Sequence, residues 1–130
     1  MLFSFSIKKA GSKGEDMACT FLRRRGYRIL SRNVRNDRGY AVGEIDIVAQ
    51  LEKRLVFVEV KTRVMRDKEV LPPEMSITRD KLAKLERAIA SYRKKYPERS
   101  QLPYQLDAVI VELDEQGKKK DIRHLQNIFL

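Results

Sequence analysis

Residues 43–61, GEIDIVAQLEKRLVFVEVK, form the stretch of sequence that decides the fold. Two runs within it, 43–50 and 55–61, are bounded by turn residues and rich in the residue types that favour β-strands. Glu52 and Lys53 stand between the runs and allow a tight connection, although they are not the Asn-Gly pair of the tightest turns. The segment therefore predicts an antiparallel hairpin.

Four charged side chains should share one face of this hairpin. With the turn centred between the two runs, Asp46 lies opposite Glu59 and Glu44 lies opposite Lys61. A register slip of two residues keeps these four side chains together, and only an odd shift separates them. The other face should take the apolar neighbours Ile45 and Ile47.

The predicted facing of Asp46 and Glu59 is unfavourable for stability, because like charges directly across a strand pair repel. A divalent cation between the carboxylates turns this repulsion into ligation. Such a site suits phosphodiester hydrolysis, in which the metal polarises the phosphate and activates a water. Lys61 can then orient the water or offset charge in the transition state. The alternative is a solvated edge hairpin in which Lys61 only neutralises a carboxylate.

The length and charge of the chain indicate one domain with a polyanionic partner. The 130 residues fit a single domain over 1–130, with 1–10 as a loose N-terminal segment. The 28 Lys and Arg exceed the 18 Asp and Glu, which gives a formal charge of +10. Nucleic acid is the first expectation, because basic side chains on phosphates release counterions. The alternative is a basic surface without a partner, since net charge does not define function.

The single cysteine and single histidine exclude a zinc site built from these residue types. Cys19 lies in an apolar helical pattern, so we expect a buried structural thiol. His124 has no evident partner and is interpreted as an ordinary surface or packing residue. Asp107 lies within an apolar strand and needs a polar partner. Any metal must therefore use oxygen ligands, which favours Mg²⁺ or Mn²⁺.

The N-terminal residues predict neither a signal peptide nor a membrane anchor. Residues 1–7 are apolar but few, and the positive charges follow them instead of preceding them. No apolar run approaches the roughly 18 residues that a membrane span needs. We expect a cytoplasmic protein with no membrane partner.

The remaining pattern predicts an α/β chain. Ser12 and Glu15 form an S-x-x-E capping box at the start of the first helix, and Gly26 stops it. The predicted helices are 12–25 and 78–95, the further strands are 27–33, 104–113 and 118–125, and the loops are 36–39, 62–76 and 97–103. The order α-β-β-β-α-β-β predicts a sandwich with a central mixed β-sheet flanked by helices.

Motifs in three places carry a family resemblance. GEIDIVA at 43–49 and VFVEVKTR at 56–63 follow a helix with G-x-x-G-E-x-x-A at 11–18. In these motifs the chain resembles the bacterial YraN-like uncharacterised family, which is similar to archaeal Holliday junction resolvases and the restriction-endonuclease-like superfamily. The resemblance covers residues 11–129 and implies a restriction-endonuclease-like fold. It brings no settled substrate, because a fold does not fix a function.

The resemblance also implies roles for individual residues. Asp46 and Glu59 would ligate the metal with the backbone carbonyl of Val60, and Lys61 would be the catalytic lysine. Glu15 would reach in from the first helix as an auxiliary catalytic residue or ligand, although the capping box also explains it. Glu44 is a candidate for an outer or water-mediated metal contact, against an ordinary solvated strand position.

Basic residues around the hairpin are the candidates for nucleic-acid binding. Their side chains would contact phosphates and position a strand over the metal. They are Arg35, Arg38, Arg63, Arg66, Lys81 and Lys84. The sequence shows no recognition helix and no aromatic ladder, so we expect binding through shape, with DNA favoured over RNA. The resemblance to dimeric resolvases leaves a homodimer open.

Three functional hypotheses follow. The first is a magnesium-dependent, resolvase-like endonuclease acting on structured or branched DNA. The alternative is a catalytically inactive nucleic-acid-binding protein that keeps a nuclease fold. The third is an interaction protein whose basic surface meets an acidic protein. Nucleic-acid binding that weakens steeply with salt would count against the third hypothesis.

Overall fold

The computed structural model describes residues 7–35, 43–65 and 78–128, which form three helices and five strands. In chain order these are α1 (Ile7–Arg24), β1 (Arg28–Arg35), β2 (Glu44–Leu51), β3 (Arg54–Val64), α2 (Arg79–Lys95), α3 (Pro97–Ser100), β4 (Tyr104–Leu113) and β5 (Lys119–Leu125). The predicted element order is confirmed. The short helix α3 is an addition, because 97–103 was predicted as a loop.

The five strands form one mixed sheet in the order β1-β2-β3-β4-β5. Only β3 and β4 pair in parallel, and the other neighbours pair antiparallel. A parallel pair needs a crossover, and α2 lies within the connection between these two strands. The predicted α/β class with a mixed sheet flanked by helices is confirmed, and this architecture is consistent with a nuclease-like sandwich. Within the described ranges, no helix combines the length and apolar character that crossing a membrane requires.

Each face of the sheet buries its own core. On one face α1 packs Ala18 and Leu22 against the sheet, together with the buried thiol of Cys19. On the other face α2 packs Leu85 and Ile89 in the same way. The prediction of a buried Cys19 is confirmed, and burial raises the pKa of its thiol. Both helices are therefore fixed to the sheet that carries the predicted site.

The β2–β3 hairpin keeps the predicted register up to the point where the site begins. Paired residues run from Leu51 and Arg54 to Ile47 and Val58. The ladder ends there, short of both predicted pairs, Asp46 with Glu59 and Glu44 with Lys61.

Side-chain alternation in β2 fails directly beyond the last paired residue. Ile45 and Ile47 pack in different cores, so the prediction that they share a face is wrong. The Val60 backbone N–H, which faces Ile45 in the predicted register, donates to the Asp46 carboxyl at 2.8 Å instead. A side chain thus replaces a backbone acceptor and breaks the regular ladder, much as a β-bulge does.

Helix α1 begins earlier than predicted. It starts at Ile7, so Ser12 and Glu15 lie inside the helix and form no capping box. The prediction of a loose segment over 1–10 is wrong for 7–10, and 1–6 lie outside the described residues. The helix continues through Gly11 and Gly14. Gly14 allows α1 to pack closely against β3, because a Cβ at this position would lie 1.8 Å from Thr62 Oγ1. The predicted stop at Gly26 is confirmed by its φ of 94°.

The end of β3 differs from the prediction, and the start of α2 confirms it. Strand β3 continues to Val64 because its parallel partner β4 continues pairing to Leu113. Helix α2 begins as predicted, with Thr78 Oγ1 accepting from the Lys81 backbone N–H at 3.3 Å. The predicted loop at 36–39 and most of the predicted loop at 62–76 lie outside the described residues.

Candidate functional site

The predicted carboxyl pair is present at the end of the hairpin ladder. Asp46 and Glu59 lie on neighbouring strands, close enough for the Glu59 charge to raise the pKa of Asp46. Asp46 also accepts the Val60 N–H at 2.8 Å. The sequence prediction that these two acids meet is confirmed in the structure.

The electrostatics of the pair favour its protonated form. Burial and then the charge of Glu59 raise the pKa of Asp46 to about 8. Burial likewise raises the pKa of Glu59, against the opposing positive charges of Lys81 and Lys61. Two half-buried acids with like charge cost stability when both ionise. This arrangement is understandable if a cation joins it.

Two lysines from different elements lie beside the carboxyl pair. Lys61 is on β3, two residues beyond Glu59, and Lys81 is in the first turn of α2. Burial, followed by the charge of Lys81, lowers the pKa of Lys61. Lys81, one of the predicted nucleic-acid-binding residues, therefore lies beside the carboxyl pair at the start of α2. Two cations beside two acids give the site the composition that phosphoryl chemistry uses.

Two further acidic residues, Glu15 and Glu44, lie near the carboxyl pair. Glu15 of α1 and Glu44 of β2 both raise the pKa of Asp46, and burial raises the pKa of Glu15 itself. With its side-chain amide oriented to satisfy both neighbours, Asn33 donates to Glu15 Oε1 at 2.7 Å and to Glu44 Oε1 at 3.1 Å. Glu15 thus faces the site instead of capping its helix.

Asn33 was not among the predicted site residues. Its backbone has a φ of 53°, a conformation that Asn tolerates better than most residues. An Asn in a predicted strand next to a basic loop was the available signal, but its two acidic partners come from α1 and β2. Only the fold brings these three residues together.

The carboxyl pair offers two candidate donors for a metal and not a complete protein cage. Among residues 7–35, 43–65 and 78–128, no group of three or more His, Cys, Asp or Glu side chains is arranged to hold a metal ion. Asp46 and Glu59 supply two oxygen-bearing groups, which is the protein contribution that Mg²⁺ often takes beside waters and substrate phosphates. The predicted contributions of Glu15, Glu44 and the Val60 carbonyl stay predictions.

Residues 14–111 match the model of the uncharacterised protein family UPF0102. The chain belongs to this family. A UPF0102 protein from Pelobacter propionicus is 38% identical over 125 residues, covering 94% of this chain and 83% of the relative. One from Geobacter metallireducens is 39% identical over 130 residues, covering 97% and 96%. One from Kosmotoga olearia is 46% identical over 91 residues, covering 70% and 71%.

The predicted membership of the YraN-like family is confirmed by these similarities. The UPF0102 match includes the carboxyl pair, both lysines, Glu15 and Glu44. The names of the relatives state no activity, so the further likeness to archaeal resolvases stays a prediction.

The basic residues predicted to bind nucleic acid lie on several elements of this UPF0102 protein. Arg35 ends β1, where its Nε is 3.7 Å from Glu44 Oε2. Arg63 lies on β3 beyond the site lysine. Lys84 lies one turn after Lys81 on α2, and both are exposed. Arg38 and Arg66 lie outside the described residues. The described members therefore lie on three elements, β1, β3 and α2, and Lys81 among them lies beside the carboxyl pair.

A second buried acid has a full set of partners. Asp107 is fully buried and accepts from Gln105 Nε2 at 2.8 Å and from the Asn127 N–H at 2.8 Å. His124 Nε2 lies 2.7 Å from its other oxygen, and the histidine side chain is only 2% exposed. The prediction of a polar partner for Asp107 is confirmed. The interpretation of His124 as a residue without a partner is wrong, because antiparallel pairing of β4 with β5 brings the two together.

Proposed function

We propose that this UPF0102 protein is a metal-dependent nuclease that hydrolyses phosphodiester bonds, with structured or branched DNA as its substrate. The observation that carries the proposal is the Asp46–Glu59 carboxyl pair, held half-buried beside Lys61 and Lys81. A fold gains no stability from two buried like charges, and a nearby cation removes the conflict.

The residues present suit Mg²⁺ or Mn²⁺. Asp46 and Glu59 would hold the ion, and both offer the hard oxygen ligands that these cations prefer. The mutual repulsion that raises the pKa of Asp46 supports this fit, because a divalent ion would compensate both carboxylates. A metal bound there would polarise the scissile phosphate and increase the acidity of a water.

The lysines supply what the acids lack. Lys61 lies closest along the chain to the pair and would stabilise negative charge that develops on the phosphate during attack. Lys81 and Lys84, both exposed on one side of α2, would hold the neighbouring phosphates of the strand. Lys61 is half-buried, which strengthens its interaction, because water screens charges less there than at an open surface.

Nucleic acid is the proposed substrate because of charge and placement. The formal charge of +10 favours a polyanion. Lys81 lies beside the carboxyl pair, and Arg35, Arg63 and Lys84 lie on β1, β3 and α2. These contacts would read the backbone and not the bases, which suits recognition by shape. The preference for DNA, the cytoplasmic location and a homodimer that cuts two strands belong to the same proposal.

The decisive experiment measures cleavage of labelled four-way junction, flap, single-stranded and duplex DNA with Mg²⁺ or Mn²⁺. We expect metal-dependent cutting that falls to background in an Asp46→Asn variant. We expect Lys61→Met to lower the cleavage rate by about 10²–10³-fold, the scale for losing one charge-stabilising group. Parallel assays with the corresponding RNA substrates test the preference for DNA.

A surface variant controls for the loss of one negative charge. Glu86 is exposed on α2, so Glu86→Gln should cleave like the unmodified chain. Tight DNA binding without cutting, unchanged in Asp46→Asn, would contradict the nuclease and favour a catalytically inactive nucleic-acid-binding protein. Absence of binding to every nucleic acid tested would contradict both.

A further inference from the structure

A groove on the outside of α1 lies apart from the carboxyl pair. It has a volume of about 620 Å³ and is formed by one side of α1 together with β5, an edge strand of the sheet. Its floor is apolar and consists of Met17, Phe21 and Ile122, which pack partly against the core of that sheet face. This volume is within the range of ordinary ligand sites.

The rim of the groove is strongly basic. Arg24, Arg25 and Lys119 line it, and none of these residues belongs to the carboxyl-pair site. Within the described ranges, neither Arg24 nor Lys119 forms a salt bridge. The acid that lines the groove, Asp16, has its charge compensated by Arg32 Nη2 at 2.8 Å. The rim therefore complements a negatively charged occupant.

The residues of the floor favour one of two classes of negatively charged ligand, a peptide over single-stranded nucleic acid. Single-stranded nucleic acid is bound where bases stack on open aromatic faces. One face of the Phe21 ring is already covered by the Arg25 guanidinium, at 4.7 Å from the ring centroid. The ring also makes an edge contact with His124, with centroids 6.1 Å apart. Met17 and Ile122 instead offer an apolar lining that suits an apolar side chain.

We propose that this groove is a docking site for an acidic peptide segment of a partner protein, whose carboxylates meet the basic rim and whose apolar residue anchors on the floor. The site is independent of the proposed nuclease chemistry. It would connect the protein to a partner while the carboxyl pair stays accessible. Apolar anchors in pockets with charged rims are a common design of protein interfaces.

The test uses the full chain and a short fluorescein-labelled peptide with a run of aspartates followed by two apolar residues, measured by fluorescence anisotropy. We expect binding that is lost when the apolar residues become serines and when the aspartates become asparagines. Arg24→Glu should weaken binding about tenfold or more, as expected for replacing a favourable charge pair with a repulsive one. Thr20→Glu, at an exposed lining position, should act in the same direction.

Arg23→Glu is the matched control. Arg23 is exposed in the same last turn of α1 but does not line the groove, and its reversal changes the net charge equally. Circular dichroism and thermal melting of each variant verify that the fold is retained. Equal weakening by Arg23→Glu and Arg24→Glu would overturn the proposal, because it would indicate a general basic surface. Binding of a labelled single-stranded oligonucleotide, weakened only by Arg24→Glu and without any peptide binding, would overturn it in favour of nucleic acid.

Discussion

Two aspartates, Asp46 in β2 and Asp107 in β4, are withdrawn from solvent in the same sheet, but their partners differ. Asp107 accepts from the Gln105 side chain and the Asn127 backbone, and His124 lies 2.7 Å away. Asp46 accepts one backbone N–H and otherwise meets another carboxyl, Glu59. A buried acid with several hydrogen-bond donors is a structural element, whereas a partly buried acid against a like charge is a candidate functional group.

The difference has a consequence for how each aspartate relates to stability and function. Asp107 ties β4 to β5 and to the segment after it, so its partners belong to the fold itself. Asp46 raises the energy of the folded chain until a proton or a cation joins the pair. Strain of this kind is concentrated at functional sites in proteins. Substitutions at the two positions should therefore have different effects.

The largest expected effect is the loss of stability in Asp107→Ala. The substitution leaves three partners of part-buried hydrogen bonds without an acceptor, and we expect the free energy of unfolding to fall by about 3–5 kcal/mol. Urea denaturation followed by circular dichroism measures it. Asp121→Ala on β5 is the control, because its ion pair with Arg123 is exposed and contributes less than about 1 kcal/mol. Similar losses of unfolding free energy in both variants would contradict the structural role of Asp107.

The next effect is a pH dependence that belongs to Asp46. The unfolded chain releases this proton near pH 4, whereas the folded chain keeps it until pH about 8. Between these values the folded state binds more protons, so stability falls as the pH rises, by a free energy on the order of a few kcal/mol. Denaturation at a series of pH values measures the slope. Asp46→Asn should lack this component, and an unchanged slope in the variant would contradict the assignment.

Addition of Mg²⁺ should produce a somewhat smaller effect at the same pair. Binding requires Asp46 to lose its proton, and the pKa of Asp46 is raised to about 8, so the affinity for the metal should rise between pH 6 and pH 8. At a concentration about a hundredfold above the dissociation constant, the ion stabilises the fold by about 2.7 kcal/mol. Thermal melting with and without Mg²⁺ at both pH values measures this. The same stabilisation in Asp46→Asn would show that the metal binds elsewhere.

The smallest effect on stability is expected for Glu15→Gln. Glu15 is a third acid at the site, only partly buried and bridged to Glu44 by Asn33. Because Gln keeps an oxygen acceptor for Asn33, the free energy of unfolding should change by less than about 1 kcal/mol. Cleavage should fall, but less than in Asp46→Asn. An unchanged cleavage rate in Glu15→Gln would contradict a role of Glu15 in the site. The difference between Asp46 and Asp107 would be unaffected.

Local pattern was sufficient for much of this fold. The strand 104–113 was predicted with the boundaries that the structure gives it. The turn between β2 and β3 set the predicted register as far as Ile47 and Val58, the residues next to Asp46 and Glu59. Helix α2 follows its apolar spacing and its Thr78 cap. In each case the physical cause lies within a few residues: side-chain period, turn length and capping chemistry act locally.

Other features depended on residues that are distant in sequence. The early start of α1 goes with the close approach of Gly14 to Thr62 of β3, and the different cores of Ile45 and Ile47 go with the Asp46–Val60 hydrogen bond. No pattern within either segment reports these contacts. Capping-box spacing around Ser12 was present, but packing against the sheet determined where the helix begins.

The sequence by itself determined the α/β class, the mixed sheet and the two facing carboxyls, because these follow from local periodicity and one turn. Only the tertiary structure decided what surrounds them. The parallel pairing of β3 with β4, with α2 in the connection between them, brings Lys81 beside Glu59, and the pairing of β4 with β5 gives Asp107 its histidine. Long-range contacts of this kind depend on the packing energy between whole helices and strands. Local sequence patterns do not report this energy, because the residues in contact are far apart in the chain.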